Sequence, residues 1–124
     1  MVCIWKSMGL IGAALMLATQ ADAADAKHGA SVFQRCAICH SNTKGAPARI
    51  GPNLFGVVGR KAGAFPEFSY SGAMKKAGWV WTTDKIAAYA QHPQVVVPGN
   101  RMAFGGLSSA RDAADVAAYL ATLK

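Results

Sequence analysis

The chain has 124 residues, one domain's worth, and carries 13 Lys and Arg against 6 Asp and Glu, for a formal charge of +7. A basic balance of this kind points to nucleic acid or to acidic proteins as partners. The first residues exclude the former, because they read as an export signal, and an exported protein meets no nucleic acid.

Lys6 precedes an apolar run from Met8 to Ala18, and Ala21-Asp22-Ala23 supplies the small-x-small pattern that signal peptidase cuts. Cleavage is expected after Ala23, so residues 1–23 are read as a secretory signal and 24–124 as the folded domain. The run is shorter than the roughly 20 apolar residues a membrane span needs, so no permanent membrane insertion is expected and a retained anchor is the lesser alternative. Cys3 leaves with the signal and is given no function. Loss of this segment removes one cation, Lys6, and one anion, Asp22, and the charge stays at +7.

The stretch 26–39 reads as a helix, with Gly29, Val32, Phe33 and Cys36 on one face at i, i+3, i+4 and i+7. Gly29 weakens a helix by about 1 kcal/mol, so its expected use is to let another helix approach closely. The face ends in Cys36-Ala37-Ile38-Cys39-His40. A Cys-x-x-Cys-His run is the attachment signature of c-type haem: both thiols add to the vinyl groups of one porphyrin, and the adjoining imidazole ligates the iron. Two other readings compete, a thioredoxin-like redox pair and half of a zinc site. The first expects a preceding strand, and none is read before Cys36. The second needs another Cys/His pair, and only Cys3, His28 and His92 remain, each isolated. One covalently bound haem c, held by Cys36 and Cys39 and ligated by His40, is therefore expected. It would fill the centre of a chain too short to bury a large core by itself, and little stable fold is expected without it. Its propionates would lower the net charge by up to about two.

Residues 41–68 turn to Gly, Pro, Lys and Arg with few periodic apolar positions, a loop long enough to need something to wrap. Gly51-Pro52-Asn53-Leu54 opens a turn that can bring the Pro52 carbonyl to the His40 Nδ1 proton and make the ligand more basic. Phe55, Phe65 and Phe68 are expected in the core at the haem edge. A short helix is expected over 70–76, broken before Gly78, and a second one capped by Thr83, running through Ile86, Tyr89 and Ala90 and stopped by Pro93. Tyr89 is either a core tyrosine or one aimed at the haem. Of Trp79 and Trp81, one is expected to face in and the other out.

Residues 94–106 read as irregular again and carry Pro98-Gly99-Asn100-Arg101-Met102-Ala103-Phe104. A lone methionine is usually core filler. Helix packing does not place one on a Pro/Gly loop, and with a haem already inferred Met102 becomes the expected sixth ligand, ahead of Met74 and His92. Residues 109–124 close the chain as a helix, with Ser109 and Asp112 resembling a capping box and Val116, Tyr119, Leu120 and Leu123 on one face. Gly29 and Phe33 are expected to pack on Tyr119 and Val116.

These motifs resemble, in order, those of the small class I cytochromes c, the bacterial periplasmic members near cytochrome c2 and mitochondrial cytochrome c. The likeness covers 24–124 and rests on the Cys-x-x-Cys-His run, Gly51-Pro52-Asn53-Leu54-Phe55-Gly56, Gly59-Arg60-Lys61-Ala62-Gly63, Trp81 and the Met102 loop. It implies an all-α cytochrome c fold, with the terminal helices packed together and helices and long loops wrapped around haem c. It also implies His40 and Met102 as the iron ligands, with Pro52 orienting His40. Arg60, Tyr70, Trp81 and Asn100 match positions that hold the propionates or line their pocket. Tyr89 matches the tyrosine near the methionine sulfur. There are departures. Asn100 replaces a common threonine, Met74 replaces a polar residue near the haem interior, and Gln94-Val95 stands where oxidase-docking relatives carry a lysine pair.

The function implied is a monomeric periplasmic carrier of single electrons, not an enzyme. Its implied partners are redox proteins with acidic docking faces, such as a terminal oxidase, a bc1-type complex, a photosynthetic reaction centre or a periplasmic dehydrogenase, in a respiratory or photosynthetic chain. Arg35, Lys44, Lys75, Lys76 and Arg101 form the expected docking ring. The alternatives are a dedicated haem subunit of one dehydrogenase, or a peroxidatic or gas-binding haem protein if Met102 does not ligate.

Overall fold

The computed structural model describes residues 23–124 together with Gly9, Gly12 and Ala13. The expected signal segment, 1–23, thus falls almost wholly outside the described residues. Among those described, all regular structure is helical: α1 Ala26–Val32, α2 Gly72–Ala77, α3 Thr83–Gln91, α4 Pro93–Val96 and α5 Ala110–Ala121, with a 3-10 turn at Phe33–Arg35. An isolated antiparallel bridge joins Lys61 to Val80, and no described helix is long and apolar enough to cross a membrane.

Each helix start has a chemical cause. Asp25 accepts hydrogen bonds from the Lys27 and His28 amides, Ser71 from Met74, Thr82 from Lys85 and Ser109 from Asp112, each satisfying donors that the first turn leaves without a partner. The cap of α3 is thus Thr82 rather than Thr83. α1 is shorter than expected. It ends at Val32, and the chain tightens into i→i+3 bonding, with the Cys36 amide donating to Phe33 O at 2.7 Å. Pro93 does more than stop α3. It opens α4 from the first helical position, where its missing N–H costs nothing, so 93–96 is helical where irregular chain was expected.

α1 and α3 both pack against α5 and enclose Val32, Phe33, Ile86, Ala113, Val116, Ala117 and Leu120. Gly29 lies directly beneath the Asp115 backbone, and a Cβ there would also come within 2.8 Å of the Tyr119 Cβ. The Phe33 and Tyr119 rings meet at 5.5 Å, and the Tyr119 hydroxyl accepts from Asn42 Nδ2 at 2.8 Å. Beside this contact is an ion-paired cluster that periodicity did not show. Asp115 is only 1% exposed, yet its carboxylate takes the Asp25 amide at 2.7 Å and His28 Nδ1 at 2.8 Å, with Arg111 Nε at 3.5 Å. The Asp25 amide bond, followed by His28 and Arg111, holds its pKa below the usual carboxylate value against the opposing effect of desolvation.

Two aromatic expectations need correction. Trp81 is buried and Trp79 half-buried, with rings in edge contact at 5.8 Å, while Val80 between them is 49% exposed. Residues i and i+2 share a side of an extended segment, so it is Val80 that points out. Phe55, Phe65 and Phe68 are all half-buried, because Val57 and Ala62 take the core positions of this loop.

Two outcomes are expected. Gly29→Ala should lower unfolding free energy by about 1–3 kcal/mol in denaturant titration, since the added carbon overpacks a backbone contact. Asp115 binds its proton less readily folded than unfolded, so its contribution is present above the ordinary carboxylate pKa and is lost as pH falls through the depressed folded value. The stability difference between the wild type and Asp115→Asn should therefore narrow between pH 7 and pH 3.

Candidate haem site

The turn after α1 is held from outside by a neighbouring loop. The His40 amide donates to Cys36 O at 2.9 Å, and Gly51 N donates to Cys39 O at 2.9 Å. The Arg49 guanidinium forks onto the carbonyls of Ala37 and Ile38 at 2.9 and 3.0 Å. Asn53, 2% exposed, closes the same loop: its Nδ2 donates to Thr43 O and Ala46 O, and its Oδ1 accepts from Phe55 N. This frame brings Pro52 O to 2.7 Å from His40 Nδ1. A carbonyl can only accept, so Nδ1 carries the proton and Nε2 keeps its lone pair. Burial lowers the His40 pKa despite the Pro52 bond, with Arg60 and Arg49 adding to the lowering, and the ring stays neutral as a ligand must. Gly51 packs face-on to this ring, and a Cβ there would stand 2.7 Å from Nδ1.

The ring faces into a cavity of about 380 Å³ between α5, α3, α2 and the two long loops. Its walls are mainly apolar, with Leu54, Val57, Ile86, Val116 and Leu120 among them. All ten residues singled out from the sequence line it: Cys36, Cys39, His40, Pro52, Arg60, Tyr70, Trp81, Tyr89, Asn100 and Met102. Met74 lines it too, whereas exposed His92 sits at the end of α3 and does not. Of the three phenylalanines expected at the haem edge, only Phe68 reaches the wall. Ile50, Ile86, Arg101 and Phe104 were not singled out for the site. Phe104 belongs to the Met102 loop and Ile86 to a helical face, but nothing in the periodicity separates a cavity wall from ordinary core.

The polar members differ in what they have left to give. One Arg60 nitrogen donates to Asn53 O at 2.9 Å, its guanidinium lies 5.1 Å over the Phe65 ring, and burial lowers its pKa. The Tyr70 hydroxyl accepts from Phe65 N at 3.0 Å, and burial raises its pKa. The Trp81 and Tyr89 rings meet at 5.3 Å, tilted by 51°, and burial pushes the Tyr89 phenol up to about 12. Asn100 has both amide donors taken by Pro93 O and Val97 O at 2.9 Å. It lines the pocket, as the resemblance implies, but has no donor left to hold a propionate.

These residues fit a haem. The wall suits a flat apolar macrocycle, two thiols not joined to each other stand at its margin, and one neutral imidazole offers a lone pair. Among the described residues no cluster of three or more His, Cys, Asp or Glu could hold a metal, and no strand leads into Cys36 as a thioredoxin-like site would have it. The class defined by this fold and cavity is a small all-α protein with covalently bound haem.

A family model described as Cytochrome c matches residues 26–124. Cytochrome c2 of Rhodomicrobium vannielii is 44% identical over 116 residues, spanning 93% of each chain, and cytochrome c2 of Rhodopila globiformis is 46% identical over 89 residues, 72% of this chain and 83% of that one. The solved structure of cytochrome cH from Methylobacterium extorquens aligns with a TM-score of 0.71 at 37% identity, covering 79% of this chain and 98% of that chain. The chain belongs to the cytochrome c family. It is accordingly an electron-transfer protein with one haem c bound through Cys36 and Cys39.

Gly51→Ala is expected to push the His40 ring off the Pro52 carbonyl. The holoprotein should lose about 1–3 kcal/mol of unfolding free energy, as for other overpacked sites. The ring resonances of His40 in the ferric protein's NMR spectrum should shift at the same time.

Proposed function

We propose that the protein is an exported, periplasmic carrier of single electrons, released from its signal after Ala23, with His40 and Met102 as the axial ligands of its haem. The observation that carries this reading is the single cavity shared by the Cys-x-x-Cys-His turn and the Met102 loop. Bound haem iron supplies a reversible one-electron couple. The residues of the chain tune and shield it. His40 is oriented by Pro52 O, and Met102 brings a neutral thioether to a largely apolar wall; both the thioether and low polarity favour the less charged, reduced state. With His40 and Met102 both given to the iron, no ligand site would remain for a substrate, which favours electron transfer over catalysis.

Arg60, Tyr70 and Trp81 are the residues proposed to meet the propionates. Arg60 keeps guanidinium donors beyond the one given to Asn53 O. Burial pushes the Tyr89 phenol up to about 12, so it stays a neutral hydroxyl at physiological pH. Outside, Arg35, Lys44, Lys75, Lys76 and Arg101 are exposed, and Arg35 and Arg101 also reach the cavity. Such a ring steers short encounters with the acidic faces of redox proteins without holding them. Gln94 and Val95 are also exposed and add no charge, so the ring is thinner than in relatives with a lysine pair there.

The ferric protein is expected to show the weak near-red absorption of methionine sulfur on haem. Met102→Ala should abolish that band and let the protein bind added imidazole or cyanide, whereas Met74→Ala should keep it. A high-spin wild-type spectrum would favour the peroxidatic or gas-binding alternative instead. Turnover with a redox partner should fall several-fold as ionic strength rises from about 0.01 M to 0.15 M, where the screening length drops from about 30 to 8 Å. Flat turnover would refute charge steering.

A further inference from the structure

Residues 93–102 make a tight excursion from α4 to Met102, and two side-chain amides tie it together. Asn100 is 7% exposed and uses all of its hydrogen-bonding groups on backbone: Nδ2 donates to Pro93 O and Val97 O, and Oδ1 accepts from the Met102 amide at 2.9 Å. Gln94, exposed on α4, reaches across the same loop. Its Oε1 accepts from Gly99 N at 3.1 Å, and its Nε2 donates to Asn100 O at 3.0 Å. One amide thus fixes the backbone of Met102, and the other fixes the residue that does the fixing.

The chemistry of these two side chains, each an amide with both donors and an acceptor, is what makes the clamp possible. Threonine at 100 has one hydroxyl donor and could not serve two carbonyls. Lysine at 94 has donors only and could not accept from Gly99 N. We propose that Gln94 and Asn100 are positioning residues for Met102, a paired amide clamp that holds its loop shut against exchange of the methionine for an outside ligand. The proposal rests on Met102 being the sixth ligand. It predicts a carrier whose iron is better guarded than the same chain with threonine at 100 and lysine at 94.

The test uses the ferric holoprotein, its near-red band and titration with imidazole, on Gln94→Leu, Asn100→Thr and the pair Gln94→Lys with Asn100→Thr. Gln94 is exposed, so its variant is expected to fold even if Asn100→Thr does not. Gly29→Ala, far from the loop and destabilising the helix pair, is the control for general loosening. Gln94→Leu loses two hydrogen bonds and Asn100→Thr at least one, and each should bind imidazole about tenfold more tightly than the wild type, with Gly29→Ala within twofold of it. Imidazole affinity unchanged in the clamp variants, with the wild-type band present, would overturn the clamp and leave Met102 ligation standing. Equal tightening in Gly29→Ala would overturn it as well, by showing that lost stability alone opens the site. A wild type without the near-red band would overturn Met102 ligation itself, and the clamp with it.

Discussion

The hydrogen bond from His40 Nδ1 to Pro52 O, at 2.7 Å, is the contact on which the site's geometry turns. It assigns the ring's proton and leaves Nε2 free, and it can form only because Gly51 carries no Cβ where the ring must lie. The surrounding loop exists to hold that carbonyl in place. Arg49 ties it to Ala37 and Ile38, and Asn53 ties it to itself. A long irregular segment is otherwise an entropic burden, and here it is stiffened by side-chain amides instead of by regular structure.

The same device recurs on the opposite side of the cavity. Asn53 and Asn100 are both buried, each donates Nδ2 to two carbonyls of its own loop, and each accepts from the amide two residues on, Phe55 in one case and Met102 in the other. Buried amides with every group satisfied rigidify a loop, and a partly satisfied one would cost stability. The two loops that present His40 and Met102 to one cavity are therefore built on one local chemistry.

Behind them stands the helix pair. The close approach at Gly29 and the buried Asp115 carboxylate join the first and last helices, and α3 packs on the same α5. Val116 and Leu120 of α5 line the cavity, so this frame supplies apolar wall while the loops carry the Cys-x-x-Cys-His turn and Met102. This division explains why the half-buried phenylalanines of the first loop could be spared from the core.

The Cys-x-x-Cys-His run, three of the four later helices, the Ser109 cap and the packing of α1 on α5 were legible in the sequence, because each depends on spacing along a few residues or on one helical face. Even there the local rules erred by small amounts: Thr82 caps α3, α1 tightens after Val32, Pro93 opens a helix, and Val80 rather than a tryptophan faces out. What the sequence could not contain was partner choice over long separations. The Asp115 network spans ninety residues from Asp25, and periodicity had placed only apolar side chains on that face. The loop amides likewise look like ordinary polar turn residues until the fold brings their carbonyls within 3 Å. Sequence therefore determined which residues carry the chemistry, since covalent spacing sets it. Tertiary structure decided which of them have hydrogen-bonding groups left to use, since a polar group buried away from water is committed to whatever the distant chain places beside it.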